Sequence, residues 1–310
     1  MLGRVLAIAL NTYRESVRAR ILLGLAGIAF AVAFYSLIVG AYTLKHGPRV
    51  VSDLGSASIS LFSIAVTVII GATSLHRELE QKTLFPILAR PLGRSEYLVG
   101  KYLGTLLTIG VFIMADAGLV LLISSALADR PLELVVGSGL LTVVVLGVAA
   151  WKWPRVRTFG LIPWSMALLV LGAVLASAAG AERRVVLGGA ALAFLEVAIV
   201  AAVATLFSSF STPFLSALLT LGIVIIGRSA DSLSRFPVKT FGQPMHDFGV
   251  FLARVAPNLH IFVPPRPLLT GEAIDAHLGP YLGMAALSAL GWSVGLLAVA
   301  SLIFRRRDFL

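Results

Sequence analysis

Eight apolar runs, at about 21–43, 55–75, 102–127, 133–150, 160–180, 185–207, 212–228 and 281–304, leave this chain one broad class of fold. Hydrocarbon offers the backbone no hydrogen bonds, so each N–H and C=O must be satisfied within the protein. A run of about 20 apolar residues does this as a helix crossing a ~30 Å core. Even the run 212–228 approaches that thickness at ~1.5 Å per residue. Hydrophobic residues make up 58% of the chain and charged residues 13%, against about 45–50% and about 25% in soluble domains. The fold class is therefore all-α: a polytopic membrane helix bundle of about eight transmembrane helices, forming a single domain over 1–310. The runs 133–150 and 160–180 also fit re-entrant segments, which keeps six spans as the alternative.

Residues 1–20 read differently. Leu2, Val5, Leu6, Ala9, Leu10, Tyr13 and Val17 recur at helical spacing opposite Arg4, Asn11, Arg14, Arg18 and Arg20. That pattern predicts an amphipathic helix lying in the membrane interface, in contact with lipid headgroups. Its apolar core is too short for a cleaved signal peptide, so insertion is expected to depend on the internal helices.

Charge sets the expected orientation. The N-terminus, 76–101, 151–159, 208–211 and the C-terminus together hold 15 Lys and Arg against 5 acids. The opposite side holds 10 against 8, with Asp116 and Glu196 left inside the bilayer. The more basic side is expected to be cytoplasmic, giving both termini inside. The net charge of +10 forms no single stripe and no nucleic-acid module, so anionic lipid explains it and a nucleic-acid partner is not expected. The longest polar stretch, 229–280, is read as an extracytoplasmic, proline-rich loop with a short amphipathic helix around Phe248–Val255.

The segment HRELEQKTLFPILARPLGRSEYLVGKYLG at 76–104 carries Arg77, Glu78, Glu80, Lys82, Arg90, Arg94, Glu96 and Lys101, shaped by Pro86 and Pro91. A mere connector between two spans needs none of these, so the segment reads as a docking surface. No G-x-x-x-x-G-K-[ST] loop, G-x-S-x-G elbow or H-E-x-x-H pair is present, so neither nucleotide hydrolysis nor a catalytic or metal site is legible in this chain. There is no cysteine, which removes thiolate chemistry. Asp116 and Glu196 are costly at membrane depth. They mark either a substrate path or proton site, or carboxyls that join helices by hydrogen bonds.

At 76–104 the chain resembles the permease subunits of ABC-2 type transporters, in the branch that includes the copper-enzyme (nitrous oxide reductase) maturation and gliding-motility permeases. The acidic pair is Glu78 and Glu80, followed by Thr83 and Leu84, then Leu88, Pro91 and Arg94, with Gly100 and Lys101 opening the next helix. The chain departs at Lys82, where the family has Gly. NTYRESVRARIL at 11–22, LFSSFSTPFLS at 206–216 and FRRRDF at 304–309 also match, while 130–180 exceeds the usual six-span plan.

The resemblance implies a homodimeric permease in a bacterial or archaeal plasma membrane, each copy bound to a separate ABC ATPase subunit. It implies that the 76–101 loop is the coupling element, with a short helix near Thr83–Arg90 presenting Leu84, Phe85, Ile87 and Leu88. This chain would then be no enzyme and hold no cofactor, with ATP and Mg on the partner ATPase. The alternatives are a stand-alone secondary transporter or channel using Asp116 and Glu196, and an intramembrane enzyme. The substrate is not legible in the sequence.

Overall fold

A computed structural model describes residues 2–43, 46–80, 93–128, 130–238, 242–272 and 277–306. Among them there is no strand, and every apolar run is a helix. The amphipathic helix α1 (Leu2–Val17) ends where Ala19 turns extended, and α2 (Arg20–Tyr42) follows. Next come α3 (Gly47–Glu80), α4 (Arg94–Ala126) and α5 (Leu132–Lys152). A single helical turn, α6 (Val156–Phe159), leads into α7 (Leu161–Leu175), and α8 is Gly180–Ser208. Then follow α9 (Pro213–Arg228), α10 (Ala230–Ser234), α11 (Gln243–Val255), a 3₁₀ turn at His260–Phe262, α12 (Arg266–Thr270) and α13 (Leu278–Arg306).

Seven helical segments among the described residues are long and apolar enough to cross a membrane: α2, α3, α4, α5, α6–α7, α8 and α13. The protein is a membrane protein. Both runs that left the span number open, 133–150 and 160–180, are among the seven. The eighth run, α9, has only 16 residues.

Small residues set how the helices meet. α3, α4 and α8 form the buried centre. α3 and α8 run parallel, with Gly71 against Ala204 and Gly189 against Ser56; a Cβ added at Gly71 would lie 2.5 Å from Ala204 Cβ. α4 runs the other way, and Gly55 of α3 lies under Val120. α7 crosses α4 where Gly118 faces the backbone of Leu168 and Leu169. Such contacts suit membranes, where association depends on close packing rather than on the hydrophobic effect. α5 is peripheral, and Val135 is its one buried residue.

Two helix starts precede the apolar runs. The helix expected from 55 starts at Gly47, because Arg49 and Asp53 pair at i,i+4 (3.8 Å) and Ser52 donates to Glu182. The helix expected from 102 starts at Arg94, so the described parts of 76–101 are largely helix, not loop. Residues 81–92 lie outside the described residues.

Within 229–280, the described residues fold back on the bundle. Leu259 N–H donates to Gly227 O (3.0 Å), satisfying a carbonyl at the end of α9. Tyr281 donates to Ile261 O, and Arg184 donates to Thr270 O (3.1 Å). The amphipathic helix is longer than read, at Gln243–Val255.

α1 is docked to the bundle rather than only to lipid. Tyr13 is fully buried, its hydroxyl donates to Thr158 O (2.9 Å), and its ring tilts against Phe159 at 6.0 Å. Burial pushes its phenol up from 10.0 to about 12. A raised acid pKa means that the docked form keeps a proton the undocked form loses. Docking is therefore complete below pH 10 and is lost as pH rises toward about 12. Ultraviolet titration should show a late-ionising tyrosine step that falls by one residue in Tyr13→Phe; if Tyr13→Phe leaves the late step unchanged, this docking is wrong.

Candidate functional site

The ends of α3 and α4 that flank 81–92 are tied into one polar knot. Gly93 caps α4 and has no side chain to offer, so only half of a capping box forms: Gly93 N–H donates to Glu96 (3.3 Å). Arg94 reaches the last turns of α13, donating to Phe304 O at 3.4 Å, and Tyr97 stacks on Phe304 with centroids 6.3 Å apart. Lys101 is 4% exposed. It donates to Ser74 O of α3 (3.2 Å), lies 4.0 Å from the Glu15 carboxylate of α1 and sits 5.9 Å from the Tyr97 ring centre. A buried ammonium needs such partners, and here they come from α1, α3 and α4 together.

Gly100 and Gly104 let α1 approach. A Cβ at Gly100 would lie 2.7 Å from the Ile8 side chain, and one at Gly104 2.5 Å from Ala9 O. The Gly-Lys pair picked out in the sequence thus has a packing role: the glycine seats α1 and the lysine ties three helices. Arg94, Gly100 and Lys101 are brought together at this foot. Glu78 and Glu80 end α3, and nothing is described of their side chains. Thr83, Leu84, Phe85, Leu88 and Pro91 lie outside the described residues.

A second polar group sits deep in the bundle. Glu196 lies about 24 Å along α8 and about 18 Å from its end, at ~1.5 Å per residue. Arg228, the last residue of α9, meets it with a two-pronged fork: Nε to Oε1 at 2.7 Å and Nη2 to Oε2 at 2.8 Å. The same Nη2 donates to Ser60 Oγ of α3. The short α9, about 24 Å long at that rise, therefore stops beside the middle of α8. Bidentate geometry of this kind is the strong form of an arginine–carboxylate pair.

Arg228 was missed in the sequence, where it was counted with the outer loops. The signal was present: Glu196 at membrane depth requires a partner, and Arg228 closes an apolar run. Glu196 joins α8 to α9 through this fork. Asp116 is different. It is fully buried, and neither carboxyl oxygen has a hydrogen-bond partner among the described residues. No hydrogen bond or ion pair joins it to Glu196.

At the opposite end of the bundle from the knot, Arg266 bonds both Asp53 and Glu182. Arg266 and Glu182 border an open cleft of about 420 Å³ with His46, Arg49 and Glu272. These charges brace α3, α8 and α12.

A scan against protein-family models finds no match to this chain, and a search of curated proteins likewise finds none.

Proposed function

We propose that the chain is the membrane-spanning permease subunit of an ABC-2 type transporter, driven through its 76–101 segment by a separate ATPase subunit. The observation that carries this reading is the foot of the connector. Lys101, Arg94 and Tyr97 bind the ends of α3 and α4 that flank 81–92 to α1 and α13. A partner that grips the loop thereby grips four helices at once. The order of Glu78, Glu80, Thr83, Leu84, Leu88, Pro91, Arg94, Gly100 and Lys101 along the chain supports the same family.

In this reading the loop end is cytoplasmic, as its excess of Lys and Arg favours, and the membrane is a bacterial or archaeal plasma membrane. Two copies form the transport unit. Leu84, Phe85 and Leu88 are the apolar anchors, and the flanking charges set orientation and partner choice. ATP-driven approach of the two ATPases would shift the helix feet between two arrangements.

The test is co-purification with the ATPase subunit. The native chain should bring it down and stimulate its turnover. The double change Leu84→Asp, Phe85→Asp should weaken binding by about 30-fold, the size of a hot-spot loss, with membrane insertion unchanged. Normal binding and turnover in that variant would remove the loop from the coupling role.

A further inference from the structure

We infer that the face of α9 ending at Arg228 borders a water-filled cavity inside the membrane, and that Arg228 forms there a site for an anionic group of the transported molecule. This deepens the transporter reading and rests on it only for what the anion belongs to.

The argument starts from depth. Arg228 is level with Glu196 in the middle of α8, yet its side chain is 33% exposed while Glu196 is 1% exposed. An arginine side chain open to acyl chains at that depth is strongly disfavoured unless it snorkels to the interface. Snorkelling is ruled out by direction, because Nε and Nη2 point inward at Glu196 and Ser60. The remaining nitrogen, Nη1, has no hydrogen-bond partner among the described residues. An intramembrane cation held in this way faces protein or water.

Polarity assigns the ligand class. The carboxylate lies behind and the guanidinium in front, so the neutral pair presents its positive end outward. A carboxylate or phosphate can accept from Nη1 without displacing Glu196, which keeps the arginine oriented. The approach runs beside Phe214, Leu218, Leu221 and Ile225, which form one exposed stripe of α9. The site is thus a single charged contact at the end of an apolar wall, suited to an amphiphilic anion.

The chain has no cysteine, so Ile225→Cys carries one thiol, at a position 65% exposed and one turn before Arg228. Val144→Cys, on the outward face of α5 and 57% exposed, is the lipid-facing control. Native membranes are treated with the impermeant anionic reagent 2-sulfonatoethyl methanethiosulfonate, and separately with its trimethylammonium analogue. Each rate is normalised to that of a free thiol. Ile225→Cys should react and Val144→Cys should not, although both react after denaturation. The anionic reagent should be favoured by about tenfold, the effect of one nearby charge, and Glu196→Gln/Arg228→Gln should abolish that preference.

No reaction at Ile225→Cys overturns the cavity. Equal or faster reaction with the cationic reagent overturns the anion site. Neither measurement involves the ATPase, so failure of the coupling reading and failure of this inference are separate results.

Discussion

Arg228→Leu is expected to destabilise the bundle by about 3–5 kcal/mol, the cost of leaving one member of a buried pair alone. Glu196 is 1% exposed, and its two carboxylate oxygens are held by Arg228. Remove the guanidinium and a buried carboxylate keeps no partner, while Ser60 loses a donor. The reverse change, Glu196→Leu, should cost less, because the orphaned arginine is one-third exposed and retains Ser60. The double change Glu196→Leu/Arg228→Met should recover most of the loss, since apolar replacements of both partners are often tolerated. Denaturation in mixed detergent micelles would measure all three variants. If the double variant is as unstable as Arg228→Leu, the pair is not what holds α9 to α8.

The second large effect is expected at the crossing of α4 and α7. A Cβ on Gly118 would sit 2.8 Å from Leu168 C and Leu169 N, and one on Gly172 2.6 Å from Gly118 O. Those are backbone atoms, which cannot swing aside, so Gly118→Leu must push the helices apart. α5 has little burial of its own, and its few buried contacts are shared between α4 and α7. Losing the crossing should therefore loosen α5 and α7 together, with a loss of about 1–3 kcal/mol or more. Gly137→Leu and Gly147→Leu on α5 are the controls. Nothing lies within 4 Å of a Cβ at either position, so both should stay within about 0.5 kcal/mol of the native chain. Thermal unfolding in detergent distinguishes them. Equal melting of Gly118→Leu and Gly137→Leu would show that the close crossing contributes little.

What was legible in the sequence was what local pattern controls. Apolar runs of bilayer length gave the helices, including the two between 133 and 180, because hydrocarbon leaves the backbone few alternatives. The 3.6-residue pattern of Leu2 to Val17 gave α1 for the same kind of reason. Pairings that depend on how far a helix reaches were not legible. Nothing in the run 212–228 says that it ends beside Glu196 rather than at the far surface, so the charge of Arg228 was counted on the outer side. The start of α3 was hidden because hydropathy counts Arg49 and Asp53 as polar, whereas in the fold they are paired. Likewise Gly100 and Lys101 stood out as a motif, but their contacts with Ile8, Glu15 and Ser74 come from other helices. Asp116 remains as the sequence left it in one respect: its carboxyl gains no hydrogen bond among the described residues.

The parallel packing of α3 and α8 has a mechanical consequence. Gly71 meets Ala204 and Ser56 meets Gly189, so the two helices keep the same offset over fifteen residues and behave as one beam. Ser60 and Glu196, the two anchors of the Arg228 fork, both belong to that beam. Force applied at the foot of α3 then displaces the anchors together and cannot shear one from the other. Opening of the fork therefore requires displacement of Arg228 relative to that beam, not of one anchor relative to the other.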